Sequence, residues 1–317
     1  MSSTTPAAGE VVGMSPRKRR IIRTLDIVGL IATIVTVLGA IFWAFPLYWA
    51  VVTTLKVEND IVQPGIDLWP RRFTLDAYTH VLFNTKIGTW YINSLVTAIS
   101  VTVLVVMMSA LAGYAISQLK FPGRRILWWI ILASFMIPIP ALIVNHFVLI
   151  SQFKLFNTWL GVILPQLVYG PVTVIIYKQF FDSVPKELRE AAKIDNANEF
   201  QMFFKLYLPM NWGITTALAI ITFIGAWNQF LWPFLAVTDE KMMNVTVGIT
   251  QVTDAFGVKY ARDLGSAILA GLPVAIVYLI FQRKVTEAIM LSAGIKAGCH
   301  TAIKVSETWV EGARVQP

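Results

Sequence analysis

The chain has 317 residues, of which 56% are hydrophobic and 14% charged, and its mean hydropathy is +0.65. That balance lies far from the usual composition of a soluble domain and places the chain in a bilayer. The formal net charge of +8 would point to nucleic acid in a soluble chain, but here the cations gather at the ends of apolar segments, which argues against a nucleic-acid partner.

The first 16 residues, rich in Ser, Thr, Pro, Ala and Gly, read as a disordered tail on the cytoplasmic side. Arg17, Lys18, Arg19, Arg20 and Arg23 then precede the first apolar run, about 27–50, interrupted only by Pro46. The run is long enough to cross the roughly 30 Å hydrocarbon core and has no evident small-residue cleavage site, so it reads as an uncleaved anchor. The segment 56–90 carries the turn signals Pro64-Gly65, Trp69-Pro70 and Asn84-Thr85, with one amphipathic helix expected over Leu75 to Phe83.

Further apolar runs fall at about 91–116, 126–150, 159–180, 213–236 and 264–282. The reading is therefore an all-α membrane protein of six transmembrane helices. Of the 26 Lys and Arg residues, 18 lie on the side that holds both termini and 8 on the other, so the positive-inside rule puts both termini in the cytoplasm. Pro138, Pro140, Gly161, Gly170, Pro171 and Gly271-Leu-Pro273 mark points where helices bend or pack closely. Trp43, Trp49, Trp69, Trp90, Trp128, Trp129, Trp159, Trp227 and Trp232 cluster toward span ends, first as interfacial anchors and second as platforms for stacking a sugar.

Polar residues inside spans are candidates for a translocation path, since facing them to lipid is costly. Asn93, Asn145, His146, Gln152, Gln166, Asn228 and Gln229 form that inventory, with Trp227 and Trp232 flanking Asn228; hydrogen bonding between helices is the competing role. His146 has no neighbouring ligand-spaced His, Asp or Glu, and Cys299 is the only cysteine, so neither a metal site nor a disulfide is expected. Residues 299–317 regain polarity and read as an extension or tag-like tail.

The segment 182–209 is the most informative. Asp182-Ser183-Val184-Pro185 supplies helix-start chemistry, and Lys186 to Ile194 is a strong helix former. Leu188, Ala191 and Ala192 share one face, with Glu187 and Glu190 beside it, a small apolar surface rimmed by charge that suits a docked partner. Asp195-Asn196 interrupts the helix, Asn being the non-glycine residue that best tolerates a left-handed backbone. A second helix follows from about Asn198, with Phe200, Phe203, Phe204 and Tyr207 on one face, expected to pack on the span ends; Pro209 ends it. An interfacial connector lying on lipid headgroups is the alternative reading.

The run Glu190-Ala-Ala-Lys-Ile-Asp195-Asn-Ala197, continuing to Phe203 and Leu208-Pro209, resembles the Glu-Ala-Ala coupling loop of permease subunits of ATP-binding-cassette importers, in their carbohydrate-uptake class. Asn196 stands where that family usually has glycine. Phe45 to Lys56, Phe73 to Tyr78, Asn93-Ser-Leu95, Ala110-Leu-Ala-Gly-Tyr-Ala115, Phe121-Pro-Gly-Arg124 and Trp227-Asn-Gln-Phe-Leu-Trp-Pro233 are similar to the family's runs in the same order, nearest to the shorter six-span subunit of maltose and glycerol-3-phosphate importers. The resemblance covers most of 17–298 and implies a type I importer permease fold in the bacterial cytoplasmic (inner) membrane. It also implies a second permease subunit, two copies of an ATPase subunit, an extracytoplasmic solute-binding protein and a carbohydrate substrate, with membrane lipid around the spans. On the same ground Glu190, Ala191, Ala192, Asp195, Asn196, Ala197, Leu208 and Pro209 are expected to couple to the ATPase.

No Gly-x-x-x-x-Gly-Lys-Ser/Thr phosphate loop occurs, so ATP and Mg are expected on the partner subunits and no cofactor on this chain. An ion- or proton-coupled secondary transporter is the alternative function, weakened because the span cores hold essentially no Asp, Glu or Lys. A membrane enzyme lacks a clustered catalytic set.

Overall fold

The computed structural model describes residues 16–65, 67–252 and 258–282, with side chains from Ile27 onward. The expected tails 1–15 and 299–317, with Cys299, lie outside the described residues, and Pro16 already belongs to the first helix.

Helix α1 (Pro16–Thr54) is continuous through Pro46. Its side chains from Ile27 to Trp43 are almost all exposed, and only its last turn, Val52 to Thr54, is buried. A short α2 (Glu58–Ile61) and α3 (Asp76–Asn84) follow, α3 matching the helix expected over 75–83. The segment between them is tied down by Arg72 on Asp60, whose Nη2–Oδ1 distance is 2.6 Å, and by an isolated bridge between Lys56 and Phe73.

Helix α4 (Ile87–Gln118) is the organising element, because it buries side chains from Ile87 to Ser117, along its whole length of 32 residues. It packs against α8 (Gly170–Asp182) and against α11 (Trp212–Trp227). Gly113 permits the α4–α8 contact: a Cβ there would lie 2.7 Å from Tyr177 Cβ and 3.1 Å from the Lys178 nitrogen. The small residues of Ala110-Leu-Ala-Gly113 therefore serve close helix packing.

The third and fifth apolar runs are broken. The run 126–150 is two helices, α5 (Arg124–Phe135) and α6 (Ile143–Gln152), bent by 98° at a break around Pro138. Proline restricts the residue before it to extended backbone, and Pro138 with Pro140 removes the donors that would carry a helix across. The fourth span joins α7 (Trp159–Gln166) to α8 through a 3-10 turn at Leu167–Tyr169. The run 213–236 ends its helix at Trp227 and resumes as α12 (Leu231–Ala236) after Asn228-Gln229-Phe230. A short α13 (Val245–Gly248) and the last described span, α14 (Tyr260–Gln282), complete the described residues. Among the described residues, four helices are long and apolar enough to cross a membrane, or up to six if each bent pair counts as one span.

Two apolar clusters hold the fold. One, around Trp90, Trp227, Trp232 and Val245, fills the end near α13. Trp90, Trp227 and Trp232 are therefore interior residues and not anchors, while Trp43, Trp69 and Trp129 remain exposed. The other cluster, at the opposite end of α4, gathers Tyr114, Phe181, Phe203 and Tyr207 edge to face, with Tyr177 stacked on Phe181.

Candidate functional site

At that second end the chain leaves α8 and forms α9 (Lys186–Ile194), with Pro185 at its N-cap. Asn196 adopts φ of 55°, the left-handed backbone its side chain tolerates better than other non-glycine residues do. The Asn196 amide donates to the Lys193 carbonyl at 3.0 Å and the Ala197 amide to the Ala192 carbonyl at 2.9 Å. This pair is a Schellman closure, which satisfies the last carbonyls of α9 and turns the chain sharply. Asn198 then caps α10 (Glu199–Met210), accepting from the Gln201 amide at 2.8 Å while the Gln201 side chain accepts from the Asn198 amide at 3.0 Å. The result is a helix-elbow-helix with its geometry fixed by backbone bonds on both sides of Asn196.

The outward face of this elbow is solvent-facing. Glu190, Ala191, Asp195 and Asn196 are exposed and Ala192 and Ala197 half-buried. Ile194 is 80% exposed and Phe200 72%, with Leu188 and Phe204 also open. The aromatic face expected to pack as one is thus split: Phe203 and Tyr207 are buried in the second cluster, and Phe200 and Phe204 face outward. Residues four apart on a helix share a narrow stripe, and the four aromatics span a wider arc than α4 and α8 can cover. The turn between Phe203 and Tyr207 is π-helical, and α10 runs one residue past Pro209 to Met210 before an 81° bend at Asn211. Leu208 is half-buried against the same cluster, while Pro209 is exposed at the bend.

Behind the elbow lies a polar lock that sequence reasoning missed. Tyr114 Oη donates to Glu199 Oε2 at 2.5 Å, and Arg189 donates to Glu199 Oε1 at 2.8 Å and to Tyr114 Oη at 3.3 Å. Tyr207 Oη donates to Gln118 Oε1 at 2.7 Å, Gln118 Nε2 to the Phe181 carbonyl at 2.9 Å, and Ser117 to Asp182 at 2.6 Å. Both helices of the elbow are thereby tied to the ends of α4 and α8. The one available signal was Arg189 and Glu199 on opposite sides of the break, ten residues apart, a spacing that means nothing until the elbow closes.

A second place of interest is a cavity of about 280 Å³ among the broken spans. Ile139, Pro140 and His146 line it from the third, Gln166 and Tyr169 from the fourth, and Gln229 and Trp232 from the fifth. Gln229 donates to the Tyr169 hydroxyl, the His146 ring stands edge-on to Trp232 at 5.7 Å, and Gln166 Oε1 is buried with no hydrogen-bond partner among the described residues. The other path candidates scatter. Asn93 is enclosed, donating to the carbonyls of Lys241 (2.8 Å) and Met243 (3.0 Å) and accepting from Trp159 at 3.0 Å, so its amide staples helices together. Trp227 and Trp232 donate to the carbonyls of Ala270 (3.1 Å) and Gly161 (3.0 Å). Asn145, Gln152 and Asn228 are exposed and none of them lines the cavity.

Residues 105–286 match the family described as binding-protein-dependent transport system inner membrane component. The chain is 31% identical over 266 residues to the arabinooligosaccharides transport system permease protein AraQ of Halalkalibacterium halodurans, covering 82% of this chain and 94% of that one. It is 29% identical over 256 residues to the diacetylchitobiose uptake system permease protein NgcG of Streptomyces coelicolor, covering 80% and 84%. It is 31% identical over 271 residues to the sn-glycerol-3-phosphate transport system permease protein UgpE of Agrobacterium fabrum, covering 83% and 96%. Its fold is similar, with a TM-score of 0.71 at 20% identity over 82% of this chain and 97% of the other, to a chain of a bacterial ABC transporter involved in the import of the acidic polysaccharide alginate.

Proposed function

The chain belongs to the binding-protein-dependent transport system inner membrane component family, and from that premise we propose that its α9–α10 elbow is the surface through which ATPase subunits drive it. It is a permease subunit of an ABC-type importer of sugars or sugar derivatives, a multi-pass protein of the bacterial inner membrane, and ATP is hydrolysed on partner subunits. In our reading it pairs with a second permease subunit over two copies of an ATPase, which carry ATP and Mg, and receives substrate from an extracytoplasmic solute-binding protein. The 18-to-8 bias of Lys and Arg supports a cytoplasmic position for both termini and for the elbow.

One observation carries the coupling reading: the elbow is open on its outer face and locked on its inner one. Glu190 and Ala191 are exposed, Ile194 and Phe200 offer apolar area, and Tyr114, Arg189 and Glu199 hold the same segment to α4. A surface so held passes a displacement of its partner on to the spans instead of absorbing it, which is what biasing a two-state membrane domain needs. Glu190 supplies a carboxylate for an Arg or Lys of the ATPase, a charge-assisted bond of roughly 1.5–3 kcal/mol. Ala191 and Ala192 allow close approach, Asp195 and Ala197 flank the elbow, and Asn196, Leu208 and Pro209 hold its shape.

For passage of substrate we assign the cavity lined by Gln166, Tyr169, Gln229 and Trp232, with Asn93 and Trp227 as supports and Asn145, Gln152 and Asn228 outside it. None of the described residues lining it is Asp, Glu, Lys or Arg. An amide, a phenol and an indole edge suit the hydroxyls and apolar faces of an uncharged sugar, as in the substrates named for the arabinooligosaccharide and diacetylchitobiose relatives.

The test is co-purification of the chain with its endogenous partners in nanodiscs, comparing wild type with Glu190→Ala. A second permease and an ATPase pair in the wild-type complex, with ATPase activity stimulated by the binding protein and that stimulation lost in the variant, is the expected result. A chain that purifies alone and moves substrate without ATP overturns the coupling reading.

A further inference from the structure

A cavity of about 620 Å³ opens between the start of α5 and the ends of α4 and α8, with no lining residue from the elbow or from the cavity among the broken spans. Arg124, Arg125 and Lys178 line it, with Ile116, Phe121, Ile126 and Trp128 as apolar walls. Two of the cations are held in place: Arg124 donates to the Leu119 carbonyl at 3.0 Å, and Lys178 sits 4.9 Å over the Trp128 ring while pairing with Asp182 at 2.5 Å. Arg125 is exposed, with no carboxylate partner among the described residues. Among the described residues no carboxylate lines the cavity, and Asp182, which pairs with Lys178, also accepts from Ser117.

The apolar wall continues outward along α5, where Ile126 is 68% exposed and Trp129 and Ile130 are open too. A soluble partner would leave those side chains in water, whereas a lipid places its acyl chains against them and its headgroup among the cations. Tryptophan at this depth is the usual marker of the headgroup layer. Basic pockets between spans on the cytoplasmic side suit anionic headgroups, each cation near the surface adding about a fivefold preference.

We propose that this cavity is a binding site for an anionic glycerophospholipid, with the phosphate on Arg124 and Arg125, Lys178 at its edge, and an acyl chain along Ile126 and Trp129. The site places a lipid against α8, the helix that leads directly into the elbow, and so within reach of the coupling step. Its cytoplasmic placement rests on the orientation proposed above, but the binding measurement does not depend on ATPase docking.

The experiment uses the assembled importer, delipidated in detergent and re-exposed to equal phosphatidylglycerol and phosphatidylcholine, with retained lipid counted by native mass spectrometry. A photoactivatable phosphatidylglycerol maps the contact. Expected are retention of phosphatidylglycerol over phosphatidylcholine, crosslinks within 121–130, and a preference that falls about fivefold in Arg125→Gln and about fivefold again in Arg124→Gln/Arg125→Gln. Inorganic phosphate at millimolar concentration is expected not to displace the lipid. Equal retention of the two lipids, a preference surviving the double variant, crosslinks confined to other segments, or displacement by phosphate alone each overturns the proposal. Binding-protein-stimulated ATPase activity in the same preparation separates its failure from failure of the importer reading.

Discussion

Replacing Glu199 with Ala removes one acceptor from two donors at once, Tyr114 Oη at 2.5 Å and Arg189 at 2.8 Å. Bonds to a charged group contribute roughly 1.5–3 kcal/mol each when shielded. The Arg189 side chain is 14% exposed but that of Glu199 is 43%, so solvent screening pulls the sum well below the doubled figure. About 2 kcal/mol is the expected loss, a factor of about 30 in the equilibrium between locked and released elbow. Amide hydrogen exchange in nanodiscs reads that equilibrium directly at Asp195, Asn196 and Ala197, whose amides close α9. Their protection is expected to fall about 30-fold, with α4 amides unchanged, and the amount of substrate moved per ATP to fall with it. Tyr114→Phe removes one of the two donors and is expected to cost about half as much, and to add little on the Glu199→Ala background. Protection at 195–197 within twofold of wild type, or an equal loss along α4, would refute the lock.

Three further substitutions, at two positions, test the backbone itself. Asn196→Gly is expected to leave complex assembly intact, while Asn196→Val forces a β-branched residue to φ of 55° at a cost of roughly 1–2 kcal/mol, seen as reduced ATPase retention on purification. Gly113→Ala places a methyl 2.7 Å from Tyr177 Cβ and 3.1 Å from the Lys178 nitrogen, and α4 and α8 must part to admit it. The expected overpacking cost of about 1–3 kcal/mol lowers the thermal unfolding temperature in detergent; an unchanged temperature sinks the close-contact assignment.

What the sequence revealed about the elbow is local. Asn196 with its left-handed turn, the start of the second helix at about Asn198 and Pro185 as helix start each act within four residues, so spacing alone exposes them. Tyr114 and Glu199 are 85 residues apart and meet only because α4 and the elbow pack together, a relation that no window along the chain contains. Burial is equally non-local. Phe200 and Phe203 are the same residue type three positions apart, yet one is exposed and the other buried because α4 and α8 cover only part of α10. The tryptophans at span ends divide in the same way, Trp129 outward and Trp90 inward with its indole on the Glu240 carbonyl at 2.9 Å.

The span breaks were visible as residues but not as geometry. Hydropathy averages over about a helix length, so Pro138 and Asn228-Gln229 barely dent it, although each coincides with an interruption. Non-helical backbone at membrane depth persists only where protein covers it or where it lines a cavity, because lipid offers its amides and carbonyls no partner. Here both conditions meet: Thr246 donates to the Gln229 carbonyl at 2.7 Å, and the breaks of the third and fifth spans line the same cavity of about 280 Å³. A chain built only to span the bilayer gains nothing from two interruptions that converge. Their convergence beside Gln166 Oε1, which has no hydrogen-bond partner among the described residues, supports the proposed use of this cavity for a hydrogen-bonding solute, with the continuous α4 as the post against which the broken spans are set.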